Sequence, residues 1–293
     1  MGYDENFLDG FTVKLPTPSP RVAAQAYDHG NYIHHSRYSL LFNKVRGFAF
    51  CSAHNIDGVT LRKKQISNRA FKADPKITPK ILQVENERGY YKNPWDRGHL
   101  ARRKSLSWGE NVDEIKQAEL ESDFYSNIVP QHENLHDDSW GKIEDWMLLK
   151  LVGGERRACV FTGPIFTEED PPYQFENEDP IQIPAGFWKV IVVPHENDIK
   201  SASFLVWQRD YNNDAPLKFA PILEQVRLTT IEVLTGLSFH DLSKKDVLYF
   251  ETRNQQKRRE SRAATFRGRI ASTFGSQKSR GSSAILSPVD IIF

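Results

Sequence analysis

Apolar residues gather in short runs near the start of the chain and again past its midpoint. Tyr38-Ser39-Leu40-Leu41-Phe42 and Gly47-Phe48-Ala49-Phe50-Cys51, separated by Asn43-Lys44-Val45-Arg46, are β-type runs. They predict a hairpin that ends at the turn Asn55-Ile56-Asp57-Gly58. Further strands are expected over residues 158–161 and 187–193, the second pairing with 203–207 across the polar turn His195-Glu196-Asn197-Asp198. Apolar spacings of three and four with terminal signals predict helices over about 111–124, about 139–152 ending on Gly153-Gly154, and about 216–235. No internal repeat is visible. Strands and helices follow in irregular order, so the expected class is α+β with a largely antiparallel sheet as its core.

Composition refines this picture at the ends. Residues 11–36 hold Pro16, Pro18 and Pro20 with little periodicity, so 1–36 reads as an extended N-terminal arm before a domain over 37–250. From about residue 251 the chain turns to Arg, Ser, Gly and Gln and reads as a basic tail. A net charge of +1 hides that asymmetry, because Lys257-Arg258-Arg259, Arg262, Arg267, Arg269, Lys278 and Arg280 crowd the tail. Such a segment meets polyanions or is simply solvated, and charge alone does not separate the two. No window holds the roughly 18 apolar residues of a membrane span, so a membrane partner is not expected. The acidic start Met1-Gly2-Tyr3-Asp4-Glu5-Asn6 lacks a secretory signal, which with the two cysteines implies a cytoplasmic protein; a chain already relieved of its signal would read alike. Cys51 and Cys159 sit in unrelated apolar segments and read as reduced core thiols.

The chemistry concentrates in two blocks. Trp95-Asp96-Arg97-Gly98-His99-Leu100-Ala101 sets an acid, a guanidinium, a glycine and an imidazole in consecutive positions, which no packing rule requires. The second block runs Phe124-Tyr125-Ser126-Asn127-Ile128-Val129-Pro130-Gln131, followed by Leu135-His136-Asp137-Asp138-Ser139-Trp140 and Glu144. This pair resembles the DNA/RNA non-specific endonuclease family, which includes endonuclease G and is built on the ββα-metal (His-Me finger) site. The family's DRGH is matched by Asp96 to His99, its S/T-N-x-x-PQ segment by Ser126 to Gln131, and its Trp and Glu by Trp140 and Glu144. Phe161-Thr162-Gly163-Pro164, Ile183-Pro184 with Phe187-Trp188-Lys189, and Thr235-Gly236-Leu237 resemble further family segments. The resemblance covers about residues 38–240.

It implies an α+β fold with a ββα-metal motif and hydrolysis of DNA or RNA phosphodiesters. His99 takes the proton from a water, and one divalent ion, Mn²⁺ or Mg²⁺, acts as Lewis acid at the phosphate and the leaving 3′ oxygen. Arg97 offers a fork for phosphate oxygens. Asp96 and Asn127 order the loop and site, or are turn residues satisfying backbone donors. Lys72, Arg102 and Arg103 join Arg97 as nucleic-acid contacts. This chain departs from the family pattern twice. His136 stands where the family has its metal-binding Asn, and Lys72, within Phe71-Lys72-Ala73-Asp74, stands where it has an arginine.

On a straight helix positions 136 and 144 would lie about 12 Å apart, so His136 must precede the helix to act as ligand. Asp137-Asp138-Ser139 supplies cap residues there, leaving Glu144 to reach the metal through a water. His136 on the surface, with Asn134 or waters holding the ion, is the competing arrangement. His34, His35, His54, His132, His195 and His240 read as solvated. Trp95, Trp108 and Trp188 stack on bases or pack the core. Two further readings stay open: a nucleic-acid-binding protein that has lost catalysis, and a defence effector or toxin controlled by a regulatory protein or a homo-oligomer switch.

Overall fold

The computed structural model describes residues 2–85, 89–90, 93–135, 140–154, 156–174, 179–208, 223–249 and 283–285. In chain order its strands begin with β1 (Thr17–Pro18), β2 (Ile33–His35), β3 (Tyr38–Asn43) and β4 (Phe48–Asp57). Next come β5 (Trp95–His99), β6 (Ile128–His132), β7 (Arg157–Ile165), β8 (Pro172–Tyr173) and β9 (Ile181–Gln182). The last are β10 (Gly186–His195), β11 (Asp198–Trp207), β12 (Leu223–Val226), β13 (Leu237–Ser238) and β14 (Ser283–Ile285). The main helices are α1 (Pro20–Gln25), α2 (Val112–Ser122), α3 (Gly141–Gly153) and α4 (Leu228–Thr235).

Eight strands form one sheet in the order β14-β12-β11-β10-β7-β4-β3-β2, with every neighbouring pair antiparallel. Both faces are covered, which is why its strands read as continuous apolar runs rather than alternating ones. Successive residues feed opposite cores. Ala158 and Val160 point to one and Cys159 and Phe161 to the other. The first core is closed by Ile143, Met147, Leu148 and Leu151 of α3 and by Trp95, Ile128 and Val129. The second is closed by Leu228 and Ile231 of α4 together with Tyr3, Leu8, Val13 and Val22.

That second layer corrects the expectation of an extended arm over residues 1–36. Tyr3 and Leu8 are buried, β1 pairs with β13, and Ser19 caps α1 with Pro20 at its first position. A proline after a Ser cap starts a helix as readily as it breaks one. The apolar residues that anchor this segment have no period, so only the sheet face they cover reveals them. The helix expected over 216–235 is shorter. Residues 209–222 lie outside the described residues, Leu223–Val226 is a strand on β11, and the helix begins at Leu228 and ends at Gly236, whose φ of 70° suits glycine. Leu223 and Val226 fit a spacing of three and a short strand equally well. Of the basic tail only 283–285 is described.

Cys51 and Cys159 are buried and unbridged, and burial pushes each thiol up to about 12. No helix among the described residues is long and apolar enough to cross a membrane.

The hairpin β5–β6 lies apart from the large sheet, pairing Trp95 with His132 and His99 with Ile128, and α3 follows it. These are the two strands and helix of the expected ββα motif. Gly98 is required by close approach, since a Cβ there would sit 2.3 Å from the side chain of buried Gln131.

Candidate active site

Residues 96–99 are consecutive, but on a strand consecutive side chains face opposite ways. Arg97 and His99 therefore share a face and exposed Asp96 takes the other. Phe71 fills the space beside that pair, its ring 4.2 Å from the Arg97 guanidinium carbon and 5.6 Å from the His99 ring. Arg97 is exposed, whereas the His99 side chain keeps only 10% of its surface.

His99 has a buried partner. Its Nε2 lies 3.1 Å from Oδ1 of Asp123, the residue that ends α2. The other Asp123 oxygen accepts from the Ala70 amide at 2.8 Å and from the Arg103 guanidinium. With Nε2–H donating to Asp123, Nδ1 carries the available lone pair. Burial lowers the His99 pKa below its ordinary value, the Asp123 hydrogen bond and charge partly offset this, and Arg69 and Arg103 lower it further. The imidazole is thus neutral, as a base must be. Burial raises the Asp123 pKa, but the hydrogen bonds from His99 and Ala70 and the charge of Arg103 outweigh it, leaving the group below the usual carboxylate range.

Arg103, expected on the nucleic-acid surface, is 2% exposed. Beyond Asp123 it sits 3.5 Å from Glu119 and donates to Ser67 O at 2.6 Å, Ser67 Oγ at 2.5 Å and Asn68 O at 3.1 Å. Its role is internal, because a short 3₁₀ turn over Arg103–Leu106 carries the side chain inward. Its neighbour Arg102 is half-buried, with Nε 3.6 Å from Glu144 and a terminal nitrogen 2.7 Å from Asp145.

Asn127 is fully buried. Its oxygen accepts from the Ala101 amide at 2.9 Å and its amide donates to Ala101 O at 3.0 Å and Ser122 O at 2.9 Å. It ties the chain after His99 to the end of α2. Lys72 is exposed, its ammonium 5.3 Å from the Phe124 ring, and its carbonyl accepts from the Tyr125 amide at 3.0 Å.

Glu144 is 4% exposed and forms an ion pair with buried Lys189, whose ammonium also lies 4.6 Å from the Trp140 ring. Burial lowers the Lys189 pKa against the pull of Glu144. His136 lies outside the described residues. Among those described, no group of three or more His, Cys, Asp or Glu side chains gathers as a metal cage. With Glu144 engaged by two cations, the described donors do not by themselves complete a metal shell.

Sequence reasoning missed Asp123, Lys189 and Phe71 as neighbours of the site. His35, His54 and His132, expected in solvent, are buried. Burial and the charge of Lys189 push His54 down to about 3, so it is a neutral core residue. Trp95 and Trp188 are likewise core, at 4% and 0% exposure.

The sequence profile of DNA/RNA non-specific endonucleases matches residues 16–246, most of the chain. An uncharacterised Sinorhizobium fredii protein, y4fB, is 32% identical over 238 residues, covering 75% of this chain and 34% of its own. Human mitochondrial endonuclease G is 29% identical over 161 residues, covering 51% of this chain and 50% of its own. The chain thus spans about a third to a half of the length of these curated relatives. A crystal structure of the EndoG/EndoGI complex, on the mechanism of EndoG inhibition, has the same fold, with a TM-score of 0.56 at 21% identity, covering 79% of this chain and 96% of that one. With the profile spanning seven of the eight strands of the large sheet, the β5–β6 hairpin and α3 together, this chain belongs to the DNA/RNA non-specific endonuclease family.

Proposed function

We propose that this protein hydrolyses phosphodiester bonds of DNA or RNA, engaging the backbone rather than the base sequence. The observation that carries the reading is His99, a neutral imidazole held at Nε2 by a buried carboxylate and sharing a strand face with exposed Arg97. In the proposed step His99 Nδ1 takes a proton from a water whose oxygen bonds to phosphorus. The bond from phosphorus to the 3′ oxygen breaks, and that oxygen leaves as a hydroxyl after taking a proton from solvent. Arg97 faces the phosphate oxygens and offers paired donors to the charge that builds there. Asn127 fixes the turn that follows His99, so the base need not be ordered at the moment of reaction. When bound, a divalent ion supplies Lewis-acid stabilisation of the phosphate and leaving oxygen. His136, with Glu144 through a water, is its proposed holder.

Supercoiled plasmid and structured RNA incubated with the protein and Mg²⁺, Mn²⁺, Co²⁺ or Ni²⁺ test this directly. Cleavage at many sites, stopped by a chelator, is expected. Binding without cleavage in every metal would favour the catalytically silent alternative, and cleavage at one short sequence would overturn backbone reading.

The metal assignment has its own expected outcome. Imidazole nitrogen suits Mn²⁺ and later transition ions better than Mg²⁺, which prefers oxygen. The enzyme should therefore favour Mn²⁺, and its metal affinity should weaken below about pH 6.5, where imidazole protonates. His136→Asn should move preference toward Mg²⁺ and flatten that pH dependence. Initial rates of both proteins across metal titrations at two pH values check this. Identical metal rankings would remove His136 from the site.

A further inference from the structure

Between β4 and β5 lies a stretch, residues 61–72, that contains Arg62, Lys63, Lys64, Arg69 and Lys72 and no acidic residue. Lys63, Lys64, Arg69 and Lys72 are exposed, and among the described residues none of the four forms a salt bridge. A basic loop is ordinarily a solvated one. This loop differs in that its backbone is pinned along a line leading to His99.

The pins come from the interior. The Arg62 amide donates to Ser107 O at 2.8 Å. The Ile66 and Ser67 amides donate to the buried Glu119 carboxylate at 3.0 and 2.8 Å, and the Ala70 amide donates to Asp123 at 2.8 Å. Arg103 holds the carbonyls of Ser67 and Asn68. Glu119 and Asp123 are four residues apart at the end of α2, about 6 Å along its axis. The loop therefore runs beside the helix, one turn at a time, until Phe71 meets His99. Arg103 lies against both carboxylates beneath it and offsets one of their two charges, and the single buried charge that remains faces four exposed cations above. A fixed row of unpaired cations pays its self-repulsion continuously, and a polyanion laid along it relieves that repulsion without first having to order the loop.

We propose that residues 61–72 form a track for the sugar–phosphate strand on one side of the scissile phosphate, with Lys63 and Lys64 at the end farther from His99 and Arg69 and Lys72 nearer to it. The proposal rests on the nuclease reading and adds a binding subsite to it. Such a track recognises phosphates and sugar, not bases, and rewards substrates long enough to reach it.

Binding of a 30-base-pair duplex, measured in chelator across a salt series, provides the test. Each phosphate contact contributes about 0.9 to the slope of log affinity against log salt on duplex DNA. Lys63→Ala/Lys64→Ala should flatten the slope by about two and raise Kd roughly tenfold near physiological salt, while Lys63→Arg/Lys64→Arg keeps both. With metal restored, the alanine pair should raise KM for the 30-mer far more than KM for bis(p-nitrophenyl) phosphate, which is too short to touch the track. A parent protein that binds, with an alanine pair of the same slope and Kd, overturns the track alone. A parent that neither binds nor cuts overturns the nuclease reading with it.

Discussion

Replacing His99 with alanine is expected to lower the cleavage rate by about two to four powers of ten, the usual contribution of a general base. In free energy this is about 3–5 kcal/mol at the transition state, at 1.36 kcal/mol per decade. The fold should survive. His99 is neutral in the folded protein, so its loss strands no charge of its own, and the Asp123 carboxylate keeps its pairing with Arg103 and its bond from Ala70. Nucleic-acid affinity in chelator should also persist, since Arg97, Lys72 and the exposed lysines are untouched. Melting temperature, duplex Kd and single-turnover cleavage separate these effects. Retention of activity within tenfold of the parent would take His99 out of the mechanism. Partial recovery with added imidazole would instead identify the missing group as a proton acceptor.

The five central strands of the large sheet, β3, β4, β7, β10 and β11, were legible in the sequence because they are covered on both faces and appear as apolar runs, whereas the outer strands β2, β12 and β14 carry no such run. The catalytic block was legible as a motif, but its geometry was not. Adjacency along 96–99 suggests three cooperating side chains, whereas the two-residue period of a strand groups Arg97 with His99 and turns Asp96 away. Asp123 was hidden for a different reason. Glu119, Glu121 and Asp123 look like the solvated face of a helix end, and only the loop packed across them shows that Glu119 and Asp123 are buried. Arg103 misled in the opposite sense, since beside Arg102 and Lys104 it reads as surface charge. Local sequence records neither burial nor partner for an ionic group, because both are properties of the tertiary contact.

Asp123→Asn is expected to be the most damaging conservative substitution near the site, and its three effects are separable. First, the substitution removes the closer of the two carboxylates that face buried Arg103 and leaves only Glu119, 3.5 Å away. Leaving a buried charge with no partner costs roughly 3–5 kcal/mol, and with Glu119 still in place the cost should fall below that range while the variant still melts earlier than the parent. The sign of its pH dependence follows from the depressed Asp123 pKa. A carboxyl ionised more readily in the folded than in the unfolded chain stabilises the fold fully above its unfolded value near 3.9, and that contribution is lost as pH falls through the folded value. The stability gap between parent and variant should therefore be complete at neutral pH and shrink below about pH 4. Second, the base loses its orienting carboxylate, and the rate should fall by about two powers of ten or more.

Third, the acid limb of the pH–rate profile should move. Burial, Arg69 and Arg103 all lower the His99 pKa, and Asp123 alone among the named groups raises it. Removing that charge leaves His99 neutral to still lower pH, so the limb should shift acidward even as the maximum falls. Rates should be measured at saturating metal, so that protonation of His136 does not enter, and at temperatures where denaturant titration shows both proteins folded. A reduced maximum with an unmoved limb would make Asp123 only an anchor for Ala70 and the loop before it. A limb that moves with the rate would identify its carboxylate as the group that sets the base.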